Sequence, residues 1–562
     1  MKVCYLGRRS ARRNPAPQED GDVIELLWDN WDDYGYKTSF ATTCRLGGKL
    51  VDIGAIRLLI GDLTMSVTAL DELRKAGWDG TFPAPGLDYI SVPQEITFYQ
   101  QVKAHLGGAV AMKVARALRD ASLLVRSLDG AAQKLVATEG FKNSLQRERG
   151  SVTAYLDGWK VLEDLAIAVQ DFNFNFRDVY NAISTLTLNF DAAALLPHDI
   201  NVMIGPNGVG KSRVLHQMVQ CWTNPDHAEE EAGFAEQPNL SQIAVVSYSP
   251  FERFPVDMDG ISVQDKDIYR YFGFRGRSGE ARRIRISHEF PKITAAQSLV
   301  ACLADDQKYK AIEDWARKVS TIETVLRTAF QFDFAAVEVE SGKRVRSLYA
   351  DVNGVTGDTH VDLDGHRYVP IATHTMNHAN PQRILEACVA KSGVAFFKDG
   401  TPIELSSGQR LFAYIVIDLL GAIRRNSLIL IDEPELFLHP TLEIQFLEML
   451  KEILANFNSK ALLATHSEVI VREVPADCVH VFERTDDGLV IKHPPFQTFG
   501  GDIQRISSYV FGDNAVSKPF EKWLKHQLEE HGSAKSLIDA LGDNLNEELL
   551  VQIKSMDDDN VW

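Results

Sequence analysis

The string Gly205-Pro206-Asn207-Gly208-Val209-Gly210-Lys211-Ser212 constrains this chain more than any other. It matches G-x-x-x-x-G-K-[ST] in full, between an apolar run, INVMI (200–204), and a helical segment, RVLHQMVQ (213–220). Strand, glycine loop and helix in that order are the context a phosphate cradle requires, and they predict an α/β fold. Glycines let successive backbone N–H groups curl around phosphate oxygens at a helix N-terminus, where the dipole also favours anions. Lys211 is expected to reach the β- and γ-phosphates of ATP, and the Ser212 hydroxyl to bind Mg2+.

A second string, SLILIDEPELFLHP (427–440), ends a buried-strand run in Asp432 and Glu433. Adjacent carboxylates at a strand end carry desolvation and repulsion costs that a divalent cation offsets. Asp432 is therefore expected to orient Mg2+, and Glu433 to polarise an attacking water. Between the two strings lies Glu404-Leu405-Ser406-Ser407-Gly408-Gln409-Arg410, ahead of the apolar helix LFAYIVIDLLGAI. Ser and Gly at a helix N-terminus make a further anion site. Another apolar strand, KALLATHSEVI (460–470), ends in Thr465-His466-Ser467.

In order and spacing these strings resemble those of ATP-binding-cassette (ABC) ATPases, with LSSGQ similar to that family's LSGGQ signature. The resemblance implies that Ser406, Ser407, Gly408 and Gln409 cap the γ-phosphate of a nucleotide held by a second subunit. It also implies a switch role for His466 near the γ-phosphate, and hence a head-to-tail dimer. The form DEPE-x-x-LHP is similar to stand-alone ATPases of the overcoming-lysogenization-defect and Septu-like antiphage groups, the likeness covering about 180–510. One departure stands out: no Gln ends VVSYSPFERF (245–254), which leaves Ser249 or a neighbour to sense the metal.

Composition narrows the class. The 562 residues carry a net charge of −18, which disfavours a wholly basic surface but not a local basic groove. Mean hydropathy is −0.14, and the apolar runs fall short of the ~18 residues a spanning helix needs. The opening MKVCYLGRRSARRNPAP lacks an apolar core, and the six cysteines are scattered, so a cytoplasmic, reduced protein is expected. Its first twenty residues read as a mobile basic arm.

Three regions are expected: an N-terminal extension over 1–170, a strand meander and then helices; a cassette over 171–510 with a helical insertion at about 255–400; and an acidic helical tail over 511–562. The stretch 224–239 reads as an acidic, solvated loop. A gap of 193 residues separates Ser212 from Leu405, about twice that of a transporter subunit as the resemblance implies. That gap lacks the long heptad arms of SMC-type ATPases. Asp557, Asp558 and Asp559 stand too near the end for a Toprim nuclease and read as a solvated tail. His360, His366, His374 and His378 lack recurrent ligand spacing and read as ordinary histidines. Tyr269–Arg285 holds Arg270, Arg275, Arg277, Arg282, Arg283 and Arg285 among aromatics. It reads either as a nucleic-acid strip or as a hairpin whose arginines face water or pair with acids. The leading expectation is an antiphage ATPase gating a separately encoded effector, a nuclease by expectation; the alternatives are a RecF-like DNA-repair ATPase and a nucleotide-switched scaffold.

Overall fold

The computed structural model describes residues 1–8, 22–46, 49–165, 167–190, 194–224, 231–259, 266–278, 282–312, 315–340, 348, 360–374, 378–436, 438–486, 488–511 and 519–558. The chain divides into two compact units, Met1–Gly500 and Gly501–Trp562. Among the described residues no helix is long and apolar enough to cross a membrane.

The first unit opens with a sheet of β1 (Lys2–Arg8), β2 (Val23–Trp28), β3 (Ser39–Leu46), β4 (Lys49–Ile60) and β5 (Tyr89–Pro93), in chain order. Strands β2 to β5 form an antiparallel meander, and β1 joins parallel to β2. One expectation is corrected here: the first twenty residues are not all a mobile arm. Val3, Cys4 and Tyr5 are no more than 7% exposed, and the Tyr5 hydroxyl donates to Asp71 at 2.7 Å. Three apolar side chains ahead of the arginines suffice for a strand once a neighbouring edge accepts them. Residues 9–21 lie outside the described residues, as do 225–230 of the acidic loop and Asp559 of the tail.

Six helices accompany this sheet: α1 (Ser66–Lys75), α2 (Thr97–Leu106), α3 (Gly108–Ala117), α4 (Ala121–Arg126), α5 (Gly130–Val136) and α6 (Arg149–Leu162). Leu26, Phe40, Ile56, Ile90, Val102 and Leu145 belong to the core they enclose.

The second core of this unit forms around α7 (Lys211–Thr223), which follows β6 (Phe172–Arg177), β7 (Ile183–Leu188) and β8 (Ile200–Ile204). After it come β9 (Gly233–Phe234), β10 (Gln242–Ser247), β11 (Tyr269–Gly273), β12 (Arg275–Ser278) and β13 (Arg283–Ile286). Helices α8 (Glu289–Lys308) and α9 (Lys318–Ala329) then precede β14 (Phe334–Val339), β15 (Val361–Leu363) and β16 (His366–Ile371). Helix α10 (Pro381–Ala387), β17 (Val394–Lys398), β18 (Thr401–Pro402) and α11 (Ser407–Ala422) follow. The last stretch holds β19 (Ser427–Asp432), α12 (Pro440–Asn456), β20 (Lys460–Thr465), α13 (Glu468–Val471), β21 (Val479–Thr485) and β22 (Gly488–Lys492).

Seven of these strands make the central sheet, in the order β11-β10-β19-β20-β8-β21-β22. All neighbours are parallel except β21 and β22. Strands β8, β10, β19 and β20 are buried at every residue, as expected when both faces of a parallel sheet are covered. Alternate residues, among them Val245, Leu430, Leu462 and Met203, share a core with Val214, Leu215 and Met218 of α7. Helix α11 packs near β10 and β11 and lies along α8. The stretch read as an insertion holds both helices and short strands. Its β11 is an edge strand of the central sheet, and β14 to β18 form a sheet of their own, in the order β15-β16-β14-β17-β18. A direct tie joins the two cores: the Arg149 guanidinium of α6 stacks over Trp222 of α7 at 4.6 Å.

The second unit is helical: α14 (Ile503–Phe511), α15 (Pro519–His531), α16 (Ala534–Leu541) and α17 (Glu547–Asp558). Leu524, Leu528, Leu537 and Ile553 form its small core.

Candidate functional site

The buried strand β8 ends at Ile204, and the loop Gly205–Gly210 turns its backbone into the first residue of α7, Lys211. Gly205 sits so close to β21 that a Cβ would lie 2.3 Å from the Phe482 carbonyl oxygen. Gly210 caps α7 at φ +102°, where a side chain would be strained. The glycine spacing is thus a packing requirement as well as a phosphate cradle.

Lys211 is nearly buried, and its Nζ donates to the carbonyls of Gly205 at 2.9 Å and Pro206 at 3.2 Å. Burial lowers its ammonium to about 8, against the opposing pull of Glu433, Glu435 and Asp432. Nζ also lies 3.0 Å from His466 Nε2. Burial, and then Lys211, lower that imidazole to about 4, so at neutral pH His466 is uncharged and accepts a hydrogen bond from the lysine. All three acceptors are neutral, and an anionic phosphate oxygen is a stronger one.

The acids come from the end of β19 and the turn that follows it. Ser212 Oγ donates to Asp432 Oδ1 at 2.8 Å. Burial pushes the Asp432 carboxyl up to about 7, with Glu433 and Glu435 adding to the rise. Glu433 follows in a left-handed conformation, φ +51°, its N–H bonded to the Ala464 carbonyl at 2.8 Å. Its Oε1 lies 4.0 Å from His466 Nε2. A non-glycine residue at positive φ is held there by its surroundings, here by the end of β20. The structure thus brings Lys211, Ser212, Asp432, Glu433 and His466 together.

Sequence reasoning missed Glu435. Its carboxylate accepts from Thr465 Oγ1 at 2.8 Å and from the His466 N–H at 2.6 Å, and burial raises its pKa. It clamps the turn that carries His466. The available signal was the second glutamate of DEPE, two residues past Glu433.

The donor set suits a hard divalent cation: the Ser212 hydroxyl and Asp432, with Glu433 and Glu435 beside them, offer oxygen alone. Pro206, Asn207, Gly208 and Val209 complete the loop that would hold phosphates.

Ser406, Ser407, Gly408 and Gln409 stand apart from these groups. Ser406 caps α11 in a reciprocal box with Gln409, at 3.3 and 3.1 Å. Ser406 and Ser407 are exposed, and Gln409 Nε2 turns to the Ala329 carbonyl rather than to the phosphate loop. Ser249, the sequence candidate for metal sensing, lies past the end of β10.

The arginine strip divides. Arg270 pairs with Asp267, Arg275 with Glu252, Arg277 with Asp257, and Arg282 with Asp259. Tyr269, Tyr271 and Phe272 are buried and offer no ring to a base. Arg283 and Arg285 lie on the exposed strand β13. Among the four histidines, His366 binds Glu338 at 2.7 Å and His360 lies 3.6 Å from Asp362. Among the described residues none of the four joins a three-ligand cluster.

Known proteins share parts of this arrangement. Residues 373–471 match the AAA ATPase domain, a span that holds the α11 cap, Asp432, Glu433, Glu435 and His466. Protein ea59 of Escherichia phage lambda is 22% identical over 537 residues, covering 93% of this chain and 92% of its own. A nucleotide-free ATP-binding cassette from an ABC transporter aligns at 12% identity and a TM-score of 0.26, covering 62% of this chain and 96% of that one. Stu0660 of Streptococcus thermophilus aligns at 11% and 0.24, covering 64% and 84%. The matched domain and the phosphate loop that meets it in the central sheet make this an α/β protein that carries a P-loop ATPase domain.

Proposed function

We propose that the chain hydrolyses ATP with Mg2+ and uses the cycle as a switch, pairing head-to-tail with a second copy to control a separately encoded effector, a nuclease by class. The observation that carries hydrolysis is the convergence of Lys211, Ser212, Asp432, Glu433 and His466 at the ends of three adjacent parallel strands. Residues 205–210 would hold the phosphates with backbone N–H groups, and Ser212 with Asp432 would hold Mg2+. The cation supplies charge neutralisation at the phosphate oxygens. Lys211 exchanges its neutral acceptors for phosphate oxygens. Glu433, 26% exposed, orients the attacking water and accepts its proton. His466, neutral and hydrogen-bonding, reports on the phosphate that Lys211 releases.

Support for pairing comes from the α11 cap. Ser407 and the first turn of α11 present an anion-favouring helix end to solvent, while Gln409 Nε2 is engaged by the Ala329 carbonyl. A second copy placed head-to-tail would meet it with a bound nucleotide. The likeness to a phage lambda protein along nearly the whole chain favours a role in phage–host biology over housekeeping repair.

Phosphate release by the wild type, Lys211→Ala and Glu433→Gln tests this reading. Both variants should lose about 10²–10⁴-fold in turnover. Glu433→Gln should also accumulate a two-chain species by light scattering when ATP and Mg2+ are present. Undiminished turnover in both variants overturns hydrolysis at this site, and an unchanged mass overturns the pairing. Purification with the products of neighbouring genes tests the effector.

A further inference from the structure

The parallel register of the central sheet sets Ser247, the last residue of β10, directly beside Asp432, the last residue of β19. Residues in register on adjacent parallel strands point to the same face, and each strand alternates faces with a period of two. Ile243 and Val245 on β10, and Leu428 and Leu430 on β19, all join the core beneath α7. Counting two residues on from each pair reaches Ser247 and Asp432. Both side chains therefore stand on the α7 face, where Asp432 receives the Ser212 hydroxyl.

Ser247 is 0% exposed, and its Oγ has no hydrogen-bond partner. A buried hydroxyl left unpaired is disfavoured relative to the alanine that would fill the same space. An apolar residue would continue the run Ile243–Val245 without that cost. The orphan hydroxyl also sits at one position out of the six in β10, the one beside the carboxylate expected to orient the cation.

We propose that Ser247 is a positioning residue for the divalent cation: its Oγ holds a water of the cation's shell at Asp432. The proposal rests on the nucleotide reading above. It assigns to the strand end a role that the sequence had left to Ser249 or a neighbour. Groups one shell out from a metal orient the inner ligands, and their loss commonly weakens metal binding by about 10–100-fold.

The test compares the full-length wild type with Ser247→Ala in three measurements: the metal-free Tm, the affinity for ADP in EDTA, and the affinity for Mn2+ with ADP present, read by electron paramagnetic resonance. The metal-free Tm should stay level or rise, since the variant removes an unpaired buried hydroxyl. ADP affinity in EDTA should be unchanged, while Mn2+ affinity should fall about tenfold. Equal Mn2+ affinity in the two proteins overturns the proposal. So does a drop in the metal-free Tm together with weaker ADP binding in EDTA, which marks a structural role. A wild type that retains neither ADP nor Mn2+ overturns the nucleotide reading itself, an outcome distinct from the other two.

Discussion

At the scale of single residues, buried carboxylates govern how the protein responds to pH. Asp418 on α11 is fully buried and accepts from Ser298 at 2.9 Å and Thr294 at 3.0 Å. Burial pushes its carboxyl up to about 8. A folded pKa above the unfolded value gives stability that is complete below the unfolded pKa, about 4. That stability is lost as pH rises through about 8. Asp418→Asn keeps an acceptor for the hydroxyls and removes the charge. Its Tm relative to wild type should climb between about pH 4 and 8 and level off above that, read by calorimetry, and a constant difference would refute the assignment. The sequence gives no hint of this group, because Asp418 reads as a polar interruption of an apolar helix. Only packing of α8 on α11 shuts it away from water.

Elements show a different kind of legibility. Strands β8, β19 and β20 and helices α7 and α11 were readable from apolar runs and glycine positions. Strand β1 was not, since its few apolar residues gain their meaning from pairing with β2. The cap of α11 separates a local role from the proposed intermolecular one. Ser406 accepts the Gln409 N–H at 3.3 Å, so Ser406→Ala should cost about 1 kcal/mol of stability. Ser407 is exposed and supports no cap bond. Ser407→Ala should leave stability within about 0.5 kcal/mol and lower turnover about tenfold, the weight of one lost hydrogen bond to a charged group. Mixing Ser407→Ala with Lys211→Ala protomers should restore part of the activity, because one wild-type half of each motif then faces the other. No restoration would count against sites shared between copies.

For the whole molecule, charge distribution matters more than its sum. The net charge of −18 coexists with an arginine strip in which four side chains are neutralised by acids from neighbouring turns. Any affinity for DNA through this strip should therefore depend on Arg283 and Arg285. Replacing both by alanine should shallow the slope of log affinity against log salt by about two. Replacing Arg270 and Arg282 should change it little. Filter binding across a salt series reads this directly, and equal slopes for the two double variants would overturn it.

The sequence by itself determined which residues make up the candidate nucleotide site. A phosphate loop, a strand ending in acids and a strand ending in histidine are local patterns, each dictated by backbone conformation and burial within a few residues. It also determined the α/β class, through apolar runs that only a covered parallel sheet can accommodate. Tertiary structure decided what lies beside what: Glu435 under the His466 turn, Ser247 in register with Asp432, β1 in the first sheet, and acids against four of six arginines. Those relations join residues far apart in the chain, and they arise from strand order and register. Neither can be read from a local period, because each depends on which distant segment supplies the neighbouring edge.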